Sequence, residues 1–229
     1  MKKDSPYFNL SKNLLKETLL FKQMDNELFE EALIHLFPLC LPKKTIIEPY
    51  QTRKYIFIIV KGRVKVSQIN HEGREYIISL LTTGDLFDII TFLDGKPHEV
   101  IIETIDETVL LKTNIDFAKK WLEIHPEIYK NLLTYLATQM RELEENAVNL
   151  CLYDTMTRLS RLILKHTDKN NNIKNINDLS HDTIAKMIGS VRKVVNLNIQ
   201  KLKREDVINS SKKKLILKNL KKLIKIAKF

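Results

Sequence analysis

Four of the chain's five glycines, Gly62, Gly73, Gly84 and Gly95, recur every 11 residues. Each stands in a turn context: KG-R, HEG-R, TTGD and DG-K. Between and before them lie short runs rich in Ile, Val and Tyr, namely YIFIIV, RVKVSQI and EYIISLL. A chain that reverses this often between short apolar runs folds as a β-sandwich or roll. TIIEPY before these runs, and VIIETI and TVLLKT after them, extend the pattern, so the roll is expected over Pro38–Thr113.

Helical texture flanks the roll. From Asn9 to His35, Leu14, Leu15, Thr18, Leu19, Phe21, Leu28, Phe29 and Leu33 cluster at helical spacing, with a break near Met24–Asp25. Helix returns near Asp116, and the longest stretch begins near Pro126. Ile128, Leu132, Tyr135, Gln139, Leu143 and Leu150 mark a partly polar stripe along it. The stripe is expected to pair with the same helix of a second copy; a single core helix is the alternative.

Charge divides the chain. The formal net charge is +10. Residues 156–229 hold 19 Lys and Arg against 5 Asp and Glu, a balance of +14, whereas residues 1–155 hold 19 against 23, a balance of −4. A polyanion partner is therefore expected for the C-terminal part alone. The two cysteines, Cys40 and Cys151, have no metal-ligand spacing and are expected as free thiols in a reducing cytoplasm. Neither an apolar run long enough for a membrane span nor the apolar core of a signal peptide is found, so no membrane is expected as partner. HExxH, CxxC, a P-loop and a nucleophile elbow are all missing, and no enzymatic activity is expected.

The basic part contains SHDTIAKMIGSVRKVVNLNIQKLKR, Ser180 to Arg204. Ser180 suits an N-cap and Asp182 the first turn of a helix. Ile184, Met187 and Ile188 mark its buried face, and Gly189 ends it. Val191, Val195, Ile199 and Leu202 then mark a second helix, whose other face carries Arg192, Lys193, Asn196, Lys203 and Arg204 with no acid before Glu205. This is the pattern of a DNA-binding helix-turn-helix. Ser180, Ser190, Arg192, Lys193 and Asn196 are its candidate DNA contacts. VINSSKKKLILK reads as strand, turn, strand, a wing with Ser210–Lys214 as its basic tip and Lys213 as a further candidate contact. NLKKLIKIAKF reads as a short helix closing the domain with Leu220, Ile224 and Ile226.

The order of roll, long helix and winged helix-turn-helix resembles the CRP/FNR family of bacterial transcription regulators over nearly the whole chain. FIIVKGRVKV with the later GDL resembles the family's roll signature. HPEIYKNLL, continuing to NLCLYDTMTRLSRLIL, resembles its dimer helix and hinge, and LSHDTIAKMIGSVRKVVNLNIQKLKREDVI its DNA-reading motif. The expected fold is α+β: a cyclic-nucleotide-binding-like jelly roll in a sensor domain over residues 1–120, a dimerisation helix and hinge over 121–153, and a winged helix-turn-helix over 154–229. The resemblance implies a homodimer that binds double-stranded promoter DNA and meets RNA polymerase.

The departures from the family bear on the effector. Its cyclic-AMP binders carry a Gly-Glu pair after the roll's Gly-Asp and later an Arg-Ser pair whose Arg holds the cyclic phosphate. Aligned on Gly84-Asp85, those positions hold Asp88 and Ile89, then His98 and Glu99, and the dimer-helix hydroxyls fall on Leu143 and Glu144. These six residues are the candidate effector pocket, and two acids where a cation is needed speak against cyclic AMP. The N-terminal cysteine cluster of iron–sulfur members is missing. Haem, with His98 as first choice among six histidines, or no effector at all, is left open. In the family the recognition helix opens with an Arg that reads guanine, a Glu that accepts from cytosine, and a later Arg. Here those positions hold Arg192, Lys193 and Leu197. The alternative is a small-molecule sensor or barrel protein whose basic part contacts RNA or membrane without specificity.

Overall fold

A computed structural model describes residues 1–211 and 214–228. The chain forms two compact units: residues 1–68 with 79–141, and residues 69–78 with 142–229.

The N-terminal unit opens with α1 (Pro6–Leu15) and α2 (Asn26–Ile34). The helical spacing expected through Thr18, Leu19 and Phe21 fails, because these residues lie in turns and bends, and the break expected near Met24–Asp25 begins already at Lys16. Asp25 caps α2 by accepting from Leu28 N at 2.8 Å. The strands follow: β1 (Phe37–Leu41), β2 (Ile46–Ile47), the one-turn α3 (Pro49–Thr52), β3 (Tyr55–Lys61), β4 (Val64–Ile69), β5 (Glu75–Leu81) and β6 (Leu86–Phe87). Then come α4 (Ile89–Asp94), β7 (Ile101–Thr104), β8 (Thr108–Asn114) and α5 (Ile115–Ile124). They make two four-stranded sheets, in the orders β1-β8-β3-β6 and β2-β7-β4-β5. The roll thus runs from Phe37 to Asn114, one residue beyond the expected span at each end.

β3 is apolar on both faces because both are covered. Phe57 and Ile59 point into the roll beside Phe87 and Leu110, and the Phe57 and Phe87 rings stack at 4.7 Å. Ile56, Ile58 and Val60 point outward and join Leu86 and Leu111 in a second core beneath α1, α2 and α5. Residues of alternate parity therefore serve two cores. The regularly spaced glycines are at the turns: Gly84 has φ +90°, and a Cβ there would stand 2.4 Å from Thr18 Cγ2. Gly62, φ +99°, would bring a Cβ to 2.7 Å from Thr108 Oγ1. Both positions need a left-handed backbone and room for no side chain.

A 3-10 turn at Pro126–Ile128 leads into α6 (Tyr129–Leu152). The first turns of α6 belong to the N-terminal core. Asn131, 5 % exposed, donates to Leu20 O at 3.0 Å, and Ile128 and Leu132 are buried nearby. The Tyr135 hydroxyl donates to Leu86 O and accepts from Leu86 N, each at 3.1 Å.

The C-terminal unit holds α7 (Thr155–Lys165), α8 (His181–Met187), α9 (Arg192–Arg204), β9 (Ile208–Ser211), β10 (Lys214–Leu217) and α10 (Leu220–Ala227). Asp154, accepting from Thr157 N at 2.8 Å, starts α7 as a separate helix two residues after α6 ends. β9 and β10 pair antiparallel as the expected wing. In α10 the buried residues are Leu223 and Ala227, while Leu220, Ile224 and Ile226 are half-buried, so the expected inner face is turned. α10 packs on α7, where Arg161 Nε donates to Ala227 O at 2.9 Å.

His166 follows α7, and burial, aided by the neighbouring Lys165, pulls its imidazole from 6.5 to about 4. Between those values the unfolded chain takes up a proton that the folded one does not. Stability of the C-terminal unit should therefore rise with pH from about 4 to 6.5 and be flat in this respect above that, the whole effect being at most about 3 kcal/mol. Thermal unfolding of wild type and His166→Phe across that window checks it: the gap between them should widen steadily as the pH falls, in favour of the variant.

Candidate nucleic-acid interface and effector loop

α8 is capped by Ser180, whose Oγ accepts from Thr183 N at 3.0 Å and lies 2.8 Å from Thr183 Oγ1. Ile184, Ala185 and Ile188 are buried. Gly189, φ +59°, turns the chain, and Ser190 N donates back to Ala185 O at 2.9 Å. α9 then buries Val195, Ile199 and Leu202 completely. Its opposite side presents Lys193, Leu197, Gln200 and Arg204, with Arg192 and Lys201 flanking, all exposed. Leu197 is 60 % exposed on this otherwise polar face. The N-cap of α9 is Val191, which supplies no side-chain hydrogen bond. Val194 N donates to Val191 O at 3.0 Å, and the amides of Arg192 and Lys193 remain donors with the positive end of the helix dipole behind them.

Among the expected DNA contacts, Arg192 and Lys193 stand exposed side by side at the start of α9, and Ser190 is half-buried just before them. Ser180 is exposed but uses its hydroxyl on Thr183. Asn196 is half-buried, and its Oδ1 is hydrogen-bonded to His181 Nδ1 of α8, which leaves its NH2 to donate elsewhere. Lys213 lies outside the described residues. In the wing, Ser210 accepts from Lys203 Nζ at 2.7 Å, which ties β9 to α9. Sequence reasoning missed Gln200 and Lys201. The signal was there: Gln200 follows Leu197 by three residues and Lys193 by seven, one stripe of the helix.

The expected effector residues divide between the two units. In the N-terminal unit Asp88 takes a left-handed backbone, φ +57°, at the start of α4. Its carboxylate, 4 % exposed, accepts from Thr91 Oγ1 at 2.8 Å and pairs with His98 Nδ1 at 3.2 Å. Thr91 and His98 therefore answer the charge of Asp88 within the loop itself. Ile89 turns inward and is buried, so it is a core residue and not a ligand contact. Glu99 is exposed. Leu143 and Glu144 lie on the part of α6 that belongs to the other unit and are exposed. For haem, His98 holds Asp88 through Nδ1 and keeps Nε2 as its open ring nitrogen, so the fit depends on the space around it. The apolar cavity of this unit, about 110 Å3, does not include His98 and is smaller than the ~300 Å3 at which ligand pockets of drug size begin. The residues present do not fit a porphyrin there. Among the described residues no group of three His, Cys, Asp or Glu could hold a metal ion.

The dimer stripe expected along α6 is corrected at its N-terminal half. Ile128, Leu132 and Tyr135 are 8 %, 6 % and 2 % exposed, sealed in the N-terminal core. Gln139 is half-buried, and Leu143 and Leu150 are exposed. The outward apolar row starts one residue further on, with Leu133, Met140, Ala147 and the expected Leu143 and Leu150 exposed. Leu136, in line with them, is half-buried against the N-terminal core, and the six stand at alternating spacings of three and four. Leu133 and Met140 are 63 % and 70 % exposed.

A β-roll, a long helix and a winged helix-turn-helix follow one another along the chain, the architecture of a helix-turn-helix transcription regulator. Comparison with known proteins agrees. The cyclic nucleotide-binding domain matches residues 40–125, and the Crp-like helix-turn-helix domain residues 157–226. A CRP-like cAMP-activated global transcriptional regulator of Mycobacterium tuberculosis is 27 % identical over 146 residues, 62 % of this chain and 65 % of that protein's length. A global nitrogen regulator of Synechocystis is 27 % identical over 183 residues, 77 % of this chain and 81 % of the relative. The structure of FixK2 from Bradyrhizobium japonicum shares the fold with a TM-score of 0.72 at 21 % identity, covering 83 % of this chain and 96 % of that one. The chain belongs to the CRP/FNR family of transcription regulators.

If Arg192 makes the bidentate contact to guanine O6 and N7, Arg192→Ala should cost roughly 1–3 kcal/mol of DNA affinity and relax preference at one base pair only. Quantitative gel shifts against a set of single-base operator variants read both numbers.

Proposed function

We propose that the protein is a homodimeric, sequence-specific DNA-binding regulator of transcription, governed by an effector other than cyclic AMP or an iron–sulfur cluster. The observation that carries the DNA reading is the division of α9. One side is wholly buried, and the other presents Arg192, Lys193, Gln200, Lys201 and Arg204 with no acid among them. The localised balance of +14 over residues 156–229 supplies the attraction to phosphate. α9 reads bases from the major groove, and the wing lies along the backbone.

Lys193 cannot accept a hydrogen bond from cytosine N4, and the exposed Leu197 offers only apolar contact, suited to a thymine methyl. The half-site therefore keeps one firm guanine and is otherwise richer in A·T than the TGTGA type. The family resemblance supports RNA polymerase as a further partner and the cytoplasm as location, with no catalytic step. The alternative of a membrane-bound tail loses support, because α10 spends Leu223 and Ala227 against its own unit. No helix of the described residues is long and apolar enough to cross a membrane.

Against cyclic AMP stands the loop of Asp88 and His98. An acid with 4 % exposure and an imidazole it already holds occupy the region where a cyclic phosphate would need an unspent cation. Calorimetry with cyclic AMP should show no micromolar binding.

The outward row on α6 has the heptad spacing of a two-helix seam. Met140→Asp with Leu143→Asp should convert the dimer to monomer in light scattering and abolish tight operator binding, since two half-sites are then no longer held together. Selection from random DNA should return a near-palindrome of A·T-rich half-sites with one fixed guanine each. Recovery of TGTGA half-sites, or of no consensus, would refute the reading of Arg192, Lys193 and Leu197.

A further inference from the structure

The N-terminal unit contains a cavity of about 110 Å3 outside the roll. Its floor is the outer face of the β1-β8-β3-β6 sheet, at Ile56, Ile58 and Leu86, and its roof is α5, at Phe117, Ala118 and Trp121. Ala32 of α2 closes one side, and Leu132 of α6 closes another. The polar side chains on its wall are His35 and Thr113, apart from the indole N–H of Trp121. Trp121 turns that N–H to Glu31 Oε1 at 3.3 Å. None of the six residues expected to form an effector pocket lines it.

Apolar cavities accept apolar guests: an enclosed one of about 150 Å3 lined by Leu, Ile and Phe stays dry and holds benzene or xenon. At 110 Å3 this one limits its guest to a single ring or a short hydrocarbon. It is not sealed deep in the core. Phe117 on its wall is 38 % exposed and meets the His35 ring at 4.9 Å, so the roof is one side chain thick. A guest here would also press on the joint between roll and long helix. Leu86 and Leu132 both line the cavity, and Tyr135, one turn beyond Leu132, grips the Leu86 peptide through both its N–H and its C=O.

We propose that this cavity is the effector site, and that it takes a neutral apolar molecule of single-ring size. The proposal rests on the reading of the protein as an effector-governed DNA-binding regulator, and it assigns the ligand to α2, α5, β3, β6 and the start of α6 instead of the loop of Asp88 and His98. The guest needs no charge, which agrees with a wall that offers no Lys or Arg and no carboxylate.

The chain's one tryptophan, Trp121, is a reporter in the wall itself. The protein is titrated with toluene, with cyclohexane and with cyclic AMP while Trp121 emission is followed. Toluene should give a saturable spectral change and cyclic AMP none. Ala118→Leu, which fills the cavity, should weaken toluene binding by about tenfold or more. Should that variant unfold by circular dichroism, Ala32→Leu fills the opposite wall and serves in its place, and Leu132→Ala, which enlarges the space, should let naphthalene bind where wild type refuses it. Operator affinity measured with and without toluene should differ by at least about fivefold, the lower end of ordinary allosteric coupling. A toluene response that does not saturate, or that survives both filling variants, overturns the site. Saturable binding with unchanged operator affinity overturns its role as effector site. Operator selectivity of the unliganded protein, measured separately, tests the regulator reading and stands or falls on its own.

Discussion

The N-terminal unit depends on one hydroxyl. β6 is a two-residue strand at the edge of its sheet, with β3 as its one neighbouring strand among the described residues. The free edge of such a strand, when buried, leaves a peptide N–H and C=O without partners, at a cost comparable to lost hydrogen bonds. Tyr135 answers both with a single Oη, accepting from Leu86 N and donating to Leu86 O. The helix α6 thus completes the sheet as a missing strand would. Asn131 does the same for the N-terminal turns by donating to Leu20 O. Two polar side chains one turn apart, both nearly fully buried, set where the long helix sits against the roll.

Polarity is used the same way elsewhere in the chain. The Asp88 carboxylate is placed by a strained backbone, and its Oδ1 is held by both Thr91 and His98, which ties the loop to itself. In the C-terminal unit Asn196 is tied to His181, which links the two helices of the helix-turn-helix through polar atoms in addition to their apolar contact. What is left unspent on α9 is the stripe from Lys193 to Arg204. A rigid buried side and an unsatisfied outer side on one helix is the condition for reading a groove: the first positions the donors, and the second needs them free.

Much of this was legible in the sequence, for reasons that can be named. The roll announced itself through Gly62 and Gly84, because a left-handed turn beside a close neighbour admits only glycine. The helix-turn-helix was legible from Ser180, Gly189 and the spacing of Val195, Ile199 and Leu202, since capping and burial are local matters. What stayed hidden was choice between equals. On α6, Leu132 and Leu133 are neighbours, as are Tyr135 and Leu136, so two apolar rows run side by side and periodicity cannot say which faces inward. On α10, Leu220, Leu223, Ile224 and Ile226 pose the same ambiguity, settled by packing on α7. Pairs such as Asp88 with His98, and Asn196 with His181, join residues ten and fifteen apart in sequence through tertiary geometry, which no local pattern encodes.

The two rows on α6 carry a mechanical meaning. Adjacent residues on a helix point about 100° apart, so the row that grips the roll and the row proposed to meet a second copy are fixed to each other like two teeth on one shaft. A shift that turns the Tyr135 side of the shaft by a few degrees turns the Met140 side by the same angle, at once and without loss, because the hydrogen-bonded backbone between them is stiff in torsion. Such a helix would need no chain of intermediates: a change at the edge of β6 would be read at the Met140 side as a camshaft reads its bearing.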